Sequence, residues 1–317
     1  MEFRDFGWNS FLLKISQDSR LVSEGGNARS GYMRIEAENY FLEVKWEETQ
    51  PKKAKPISEI MEAFVKKLEK DAKQKVPIHG KRSTRVFEHE ALVLSLKSVT
   101  EERIYFWHCE DSLRIIILRF VFKLMDTTSQ TIIRQVLDSF KCHGEEMSVW
   151  TPPESTFKVP PSFQLTDRKM LIGRTYLLLI EHKLAPFAER KREILFEYNS
   201  MANIRFEDEY KDLSKWMEKR YLKDLKKRYR GIKFQSSVEE KIDGHLAVVK
   251  KGAGRSGLTT RRSSLYANTT WYCEDLNRIY TVTTSEHIAR PWPLRRRIDE
   301  RAFEDFSKDF ISTIRCH

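Results

Sequence analysis

The sequence predicts an α+β fold made twice: an internal duplication of a domain whose antiparallel sheet is covered by helices. Three observations carry this expectation. The first is repetition, since Trp107-His108-Cys109-Glu110-Asp111 recurs as Trp271-Tyr272-Cys273-Glu274-Asp275. A His-x-Ala strand precedes each copy, Val86 to Val93 and Ile242 to Val249. A Cys-His pair closes each, Cys142-His143 and Cys316-His317. Landmarks in one order mark a duplicated unit. The second observation is a set of apolar runs joined by short turns, the pattern of hairpin-linked strands. The third is apolar stripes at helical spacing between and after those runs. The 317 residues suffice for two cores. The repeat divides them into 1–149 and 150–317, with Trp150-Thr151-Pro152-Pro153-Glu154-Ser155 as a short, stiff linker.

In the first copy, strands are expected at 10–15, 32–35 and 40–46, followed by a Pro/Lys loop from Pro51 to Pro56. A helix follows, with Ser58 as its N-cap and Ile60, Met61, Phe64, Val65 and Leu68 on one face. Strands at 83–97, 102–109 and 113–122 come next, with Glu110-Asp111-Ser112 as a turn. A helix at 128–141 closes the copy, burying Ile132, Ile133, Val136, Leu137 and Phe140. The second copy repeats the order, with strands near 156–159, 174–181 and 193–198. A long helix over 208–229 turns Leu213, Trp216, Met217, Tyr221 and Leu225 inward. Strands near 234–250, 263–273 and 277–284 follow, then a helix at 299–314 carrying Phe303, Phe306, Phe310 and Ile314.

This order resembles the PsbP-like fold: an early hairpin, a helix, a strand with an Ile-x-Gly-x-x-Ala pattern, a long meander and a final helix. Ile242-x-Gly244-x-x-Ala247 fits the pattern, while the first copy has Glu88 at the glycine position. The resemblance implies a fold used mostly for binding other macromolecules, with no shared catalytic set to carry over.

Charge separates the copies. Residues 1–150 hold 24 Lys and Arg against 23 Asp and Glu, whereas residues 151–317 hold 33 against 23. Three stretches of the second copy read as basic additions: 182–192, 250–262 and 290–297. Clustered Lys and Arg neutralise phosphates and release counterions, and a tryptophan between prolines offers a ring for stacking on a base. The expected contacts to nucleic acid or another polyanion are Lys191, Arg192, Lys250, Lys251, Arg255, Arg261, Arg262, Trp292, Arg295, Arg296 and Arg297. The plain alternative is a solvated surface. The charge-balanced first copy is then a scaffold or protein-docking domain. Gly252-Ala253-Gly254-Arg255-Ser256-Gly257 matches a phosphate-loop spacing, but Leu258 stands where a Walker-type lysine is required and a strand follows, so it reads as a glycine loop.

All four cysteines are matched between the copies. Cys109 and Cys273 sit two residues after Trp107 and Trp271, on the same sheet face. If the closing helix packs on that face, Cys109 meets Cys142 and Cys273 meets Cys316, as candidate disulfides. Adding His89 with His143, and His245 with His317, makes a Cys2His2 set in each copy, which zinc accepts. Against metal stand the lack of a C-x-x-C pair and the difficulty of bringing adjacent Cys and His to one ion, so no metal and no cofactor is the expectation. Paired carboxylates at 110–111 and 274–275 belong to turns, and no hydrolase or kinase pattern is present. The N-terminus Met1-Glu2-Phe3-Arg4-Asp5 is charged where a signal peptide needs an apolar core. The strand Ile115–Leu118 is bracketed by arginines and far short of a membrane span. Charged residues at 32% with few Asn and Gln lean toward a thermophile. The expectation is a cytoplasmic, non-enzymatic binding protein. A protein-only interaction module and a structural metal or redox protein are its alternatives.

Overall fold

Alternating apolar residues and tight turns close hairpin after hairpin in the computed structural model of the chain. Two compact units result, Met1–Pro153 and Glu154–His317. The structure describes residues 1–50, 54–143, 146–171, 173–186, 188–206, 213–218, 222–228, 232–256, 260–291 and 298–316.

The first unit runs β1 (Phe3–Trp8), β2 (Phe11–Ser16), β3 (Arg20–Gly26), β4 (Ser30–Glu36), β5 (Tyr40–Glu48), α1 (Ile57–Ala72), β6 (Ile78–Val86), β7 (His89–Lys97), β8 (Glu101–Cys109), β9 (Arg114–Phe122), α2 (Thr127–Ser139) and β10 (Ser148–Trp150). The second runs β11 (Phe157–Val159), β12 (Gln164–Leu171), β13 (Arg174–Ala185), β14 (Ala188–Ser200), α3 (Ala202–Phe206), α4 (Leu213–Trp216), α5 (Leu222–Arg228), β15 (Ile232–Ile242), β16 (His245–Ser256), β17 (Thr260–Cys273), β18 (Arg278–Pro291) and α6 (Glu300–Ser312). Each unit holds a seven-stranded antiparallel sheet, in order β3-β4-β5-β9-β8-β7-β6 and β12-β13-β14-β18-β17-β16-β15. The two orders correspond strand for strand.

The expected α+β class is overturned. The chain is mostly β, with 57% in strands and 20% in helices, arranged as large antiparallel sheets with few helices. Of the long helix expected over 208–229, α4 and α5 are described, and 208–212, 219–221 and 229 lie outside the described residues. Two features move the balance. Strands are added that the sequence pattern missed, among them β1, β3, β12 and the part of β6 before residue 83. The basic stretches at 182–192 and 250–262 extend β13, β14, β16 and β17 instead of forming loops. Alternation explains the last point. Lys and Arg sit on strand positions facing carboxylates of a neighbouring strand, as in Arg190 and Arg192 with Glu286, so a charged run pairs as readily as a polar one.

Packing follows the period-2 pattern. In the first unit, Leu94, Leu96, Ile104 and Phe106 form one buried patch with Met61 and Val65 of α1. On the opposite face, Trp107 meets Phe140, at the C-cap of α2, with ring centroids 5.2 Å apart. The N-cap of α1 is Pro56, without a side-chain cap, rather than Ser58. Asp126 caps α2 by accepting from the Ser129 backbone N–H at 2.7 Å, which satisfies one donor of the first turn. Equivalent hairpin turns use equivalent strained residues, Phe87 with Asp243 and Leu113 with Asn277, all at positive φ.

Candidate metal centres

The Trp-x-Cys motif ends β8 and β17, so its indole and thiol face the closing helix in both units. The β6–β7 and β15–β16 turns then present His89 and His245 at the starts of β7 and β16. The chain leaving each closing helix brings Cys142 and Cys316 to the same place. In the first unit His89 Nε2 lies 3.2 Å from Cys142 Sγ. His143 turns Nδ1 to the sulfurs, 3.1 Å from Cys109 Sγ and 3.4 Å from Cys142 Sγ. Its Nε2 faces Asp111 Oδ2 at 3.2 Å. The ligand atoms of His89, Cys109, Cys142 and His143 all lie within 4.8 Å of one another. In the second unit His245, Cys273 and Cys316 meet the same limit, with His245 Nε2 3.3 Å from Cys316 Sγ. Asp243 Oδ2 is 4.0 Å from Cys316 Sγ. His317 lies outside the described residues.

The cysteines meet in the expected pairs as buried thiols. Their histidines close the clusters. The expected obstacle to metal, adjacency of Cys142 and His143, does not hold, because the turn after α2 points both side chains inward.

Electrostatics favour a thiolate here. The Cys142 thiol and the Ser112 backbone N–H, 3.3 Å away, both donate to Cys109. The Cys109 thiol is pushed down to about 4, and that of Cys142 is pushed up because it holds the shared proton. In the second unit burial and neighbouring Cys273 push Cys316 up to about 12. The buried indole N–H groups of Trp107 and Trp271 make no hydrogen bond of full geometry, yet each lies where it lowers the pKa of Cys142 or Cys316. Sequence reasoning assigned Asp111 only to a turn and gave the two indoles no polar role. The repetition of Trp-x-Cys-Glu-Asp was the available signal.

Among the described basic candidates, four are held in ion pairs. Lys191 pairs with Glu193 at 2.5 Å, Arg192 with Glu286 at 2.8 Å, Lys250 with Glu218 at 2.6 Å and Lys251 with Glu304 at 2.6 Å. Arg255 and Arg262 are exposed near the neighbouring ends of β16 and β17. Arg261 is placed by its backbone in β17. Trp292, Arg295, Arg296 and Arg297 lie outside the described residues. Gly252 and Gly254, expected in a loop, belong to β16, and Gly257 lies outside the described residues.

One further cluster was not foreseen. His287 Nδ1 lies 2.8 Å from Ser264 Oγ and its Nε2 lies 3.1 Å from Ser285 Oγ, with Glu193 Oε2 4.0 Å away. Both ring nitrogens face hydroxyls, and the carboxylate is too distant to orient the ring as in a hydrolytic triad. Burial holds the His287 pKa below its ordinary value.

No protein-family profile matches the chain, and no curated protein matches it. Among solved structures, the PsbP-like resemblance recurs. The chain is similar to cyanobacterial PsbP from Synechocystis, at 9% identity and TM-score 0.37, over 44% of this chain and 92% of that one. It is also similar to the type VI secretion immunity protein TplEi of Pseudomonas aeruginosa, at 15% identity and TM-score 0.32, over 99% and 96%. A third is the putative regulator PA94 of the same organism, at 14% identity and TM-score 0.27, over 53% and 96%.

Proposed function

We propose that this protein is a non-enzymatic structural metal protein, a duplicated β scaffold in which each unit is cross-linked by zinc through its Cys/His set. The observation that supports this reading is the recurrence of the same thiol and imidazole positions in two units whose surfaces have diverged. Two sulfurs and two nitrogens suit a tetrahedral zinc site, with bonds of about 2.3 Å to sulfur and 2.0–2.1 Å to nitrogen. Such bonds put ligand atoms roughly 3.3–3.8 Å apart, close to the S···N separations of 3.1–3.4 Å in the first unit. Asp111 accepts from His143 Nε2, which leaves the Nδ1 lone pair facing the sulfurs. In this reading His89, Cys109, Cys142 and His143 are the first centre. His245, Cys273 and Cys316 form the second, with Asp243 and His317 as candidates for its fourth ligand. The metal supplies a cross-link between the sheet and the end of the closing helix, and no reaction is assigned to it.

Metal analysis by plasma mass spectrometry on untagged full-length protein, prepared without chelators, tests this. Two zinc ions per chain are expected, with one lost in Cys142→Ser and one in Cys273→Ser. Protein that holds no metal after zinc addition and desalting, or that gives no free thiols on alkylation after denaturation in chelator, overturns the reading.

A further inference from the structure

The two units act as controls for each other, because equivalent positions can be read from strand register. Tyr105 pairs with Val93, and Thr269 pairs with Val249, at the same place in the sheet. Arg103 pairs with Phe120, and Ala267 with Thr284. All these residues lie on the face that carries Trp107 or Trp271, toward the closing helix. Counting back from the closing cysteine, Ile133 of α2 matches Ser307 of α6. The first unit therefore fills this space with Tyr105, Phe120 and Ile133. The Tyr105 and Phe120 rings stack edge to face at 6.0 Å, and Ile133 is buried.

The second unit has Thr269, Thr284 and Ser307 there instead, and a cavity of about 430 Å³ lies between α6 and strands β15–β17. This volume falls in the range of small-molecule pockets, about 300–1,000 Å³. Its walls are Val249, Leu265, Ala267, Phe303 and Ile311. Hydroxyls of Thr269 and Ser307 sit among them, and Ser307 already hydrogen-bonds Thr284 at 2.7 Å. The rim carries both signs of charge. Lys251 is held by Glu304 at 2.6 Å, and Arg315 stands 3.9 Å from Asp243. Paired charges give neither an anion nor a cation a net advantage at the mouth.

We infer that this cavity of the second unit is a binding site for an uncharged, mainly apolar small molecule with a hydrogen-bonding group. Apolar walls supply the affinity, and the hydroxyls orient the polar group. Asp243 on the rim also borders the second Cys/His set, but the apolar walls and the hydroxyls of Thr269 and Ser307 belong to neither set, so probe binding is read without metal and apart from the zinc analysis.

The test is a fluorescence titration of the full chain with N-phenyl-1-naphthylamine, an uncharged apolar probe. A saturable increase at one probe per chain is expected. The Thr269→Tyr/Ser307→Ile double variant, which installs the first unit's residues, is expected to abolish it while keeping the circular-dichroism spectrum. Ala267→Leu, a smaller change on the cavity wall, is expected to weaken binding about tenfold or more, a loss that reads directly as a shifted midpoint. Failure of the unmodified protein to bind the probe overturns the inference. Unchanged affinity in Ala267→Leu, or in a folded double variant, overturns it as well.

Discussion

Cys109 shows how much one residue can owe to its surroundings. Its strand position sets the face, Ser112 offers a backbone N–H, Cys142 shares a proton and His143 stands 3.1 Å away. Asp111 acts one step further out, through His143. Removing a carboxylate behind a metal-bound histidine typically lowers metal affinity about 10–100-fold. Asp111→Asn should therefore weaken zinc binding by roughly that factor in chelator competition, whereas Cys109→Ser should remove the first centre entirely. His287 belongs to this scale too. It is buried among Ser264, Tyr266, Ser285, Glu193, Lys191, Arg262 and Glu286, and burial holds its pKa down. The unfolded chain takes up that proton below about pH 6.5 and the folded chain resists it, so this site costs stability as pH falls from there toward the folded pKa. Urea midpoints of the wild type and His287→Gln should converge as pH drops from 7 to about 5.5. A constant gap would remove His287 as a source of acid sensitivity.

At the level of elements, turn chemistry and close approach decide more than propensity. Gly7 of β1 has no room for a side chain, since an added Cβ would lie 2.2 Å from the Val149 carbonyl oxygen. Its N–H also donates to Thr151 Oγ1 at 3.0 Å, and next to it Trp8 packs on Trp150 at 5.2 Å. Overpacking of this kind costs about 1–3 kcal/mol, so Gly7→Ala should lower the urea midpoint of the first unit by that measure. The closing helices were legible because Asp126 and Asp299 cap them and their buried residues recur at helical spacing. Of the helix expected over 208–229, the described pieces α4 and α5 keep Trp216, Leu222 and Leu225 buried, as its apolar stripe requires. The basic stretches were misread. Charge suggested loops, while cross-strand carboxylates made them strands.

For the whole molecule, metal and charge give separate expectations. Zinc that binds only the folded state adds stability that grows with the logarithm of its free concentration over its dissociation constant. A chelator should lower the melting temperature of the wild type, and Cys142→Ser/Cys273→Ser should melt at one temperature with or without it. Ion pairs in the described residues do not change the net charge, so they leave the excess of base in residues 151–317, 33 against 23, unchanged. If the second unit attracts polyanions, the exposed residues among its described candidates are Arg255 and Arg262. Arg255→Glu/Arg262→Glu should then flatten the salt dependence of RNA binding by anisotropy. An unchanged slope would withdraw these two residues from that role.

Residue order alone determined the duplication, the hairpin order around each Trp-x-Cys motif and the buried faces of the closing helices. These depend on periods of 2 and 3.6 residues, which short windows reveal. It also marked the members of each Cys/His set without deciding among bridge, thiol and metal. Only the tertiary structure decided that Cys142 and His143 both turn inward, that His89 reaches across 53 positions to Cys142, and that the sheets outweigh the helices. It alone opened a cavity in one unit that its sister fills. These outcomes depend on contacts between distant segments, whose register and side-chain direction are set when whole sheets and helices pack.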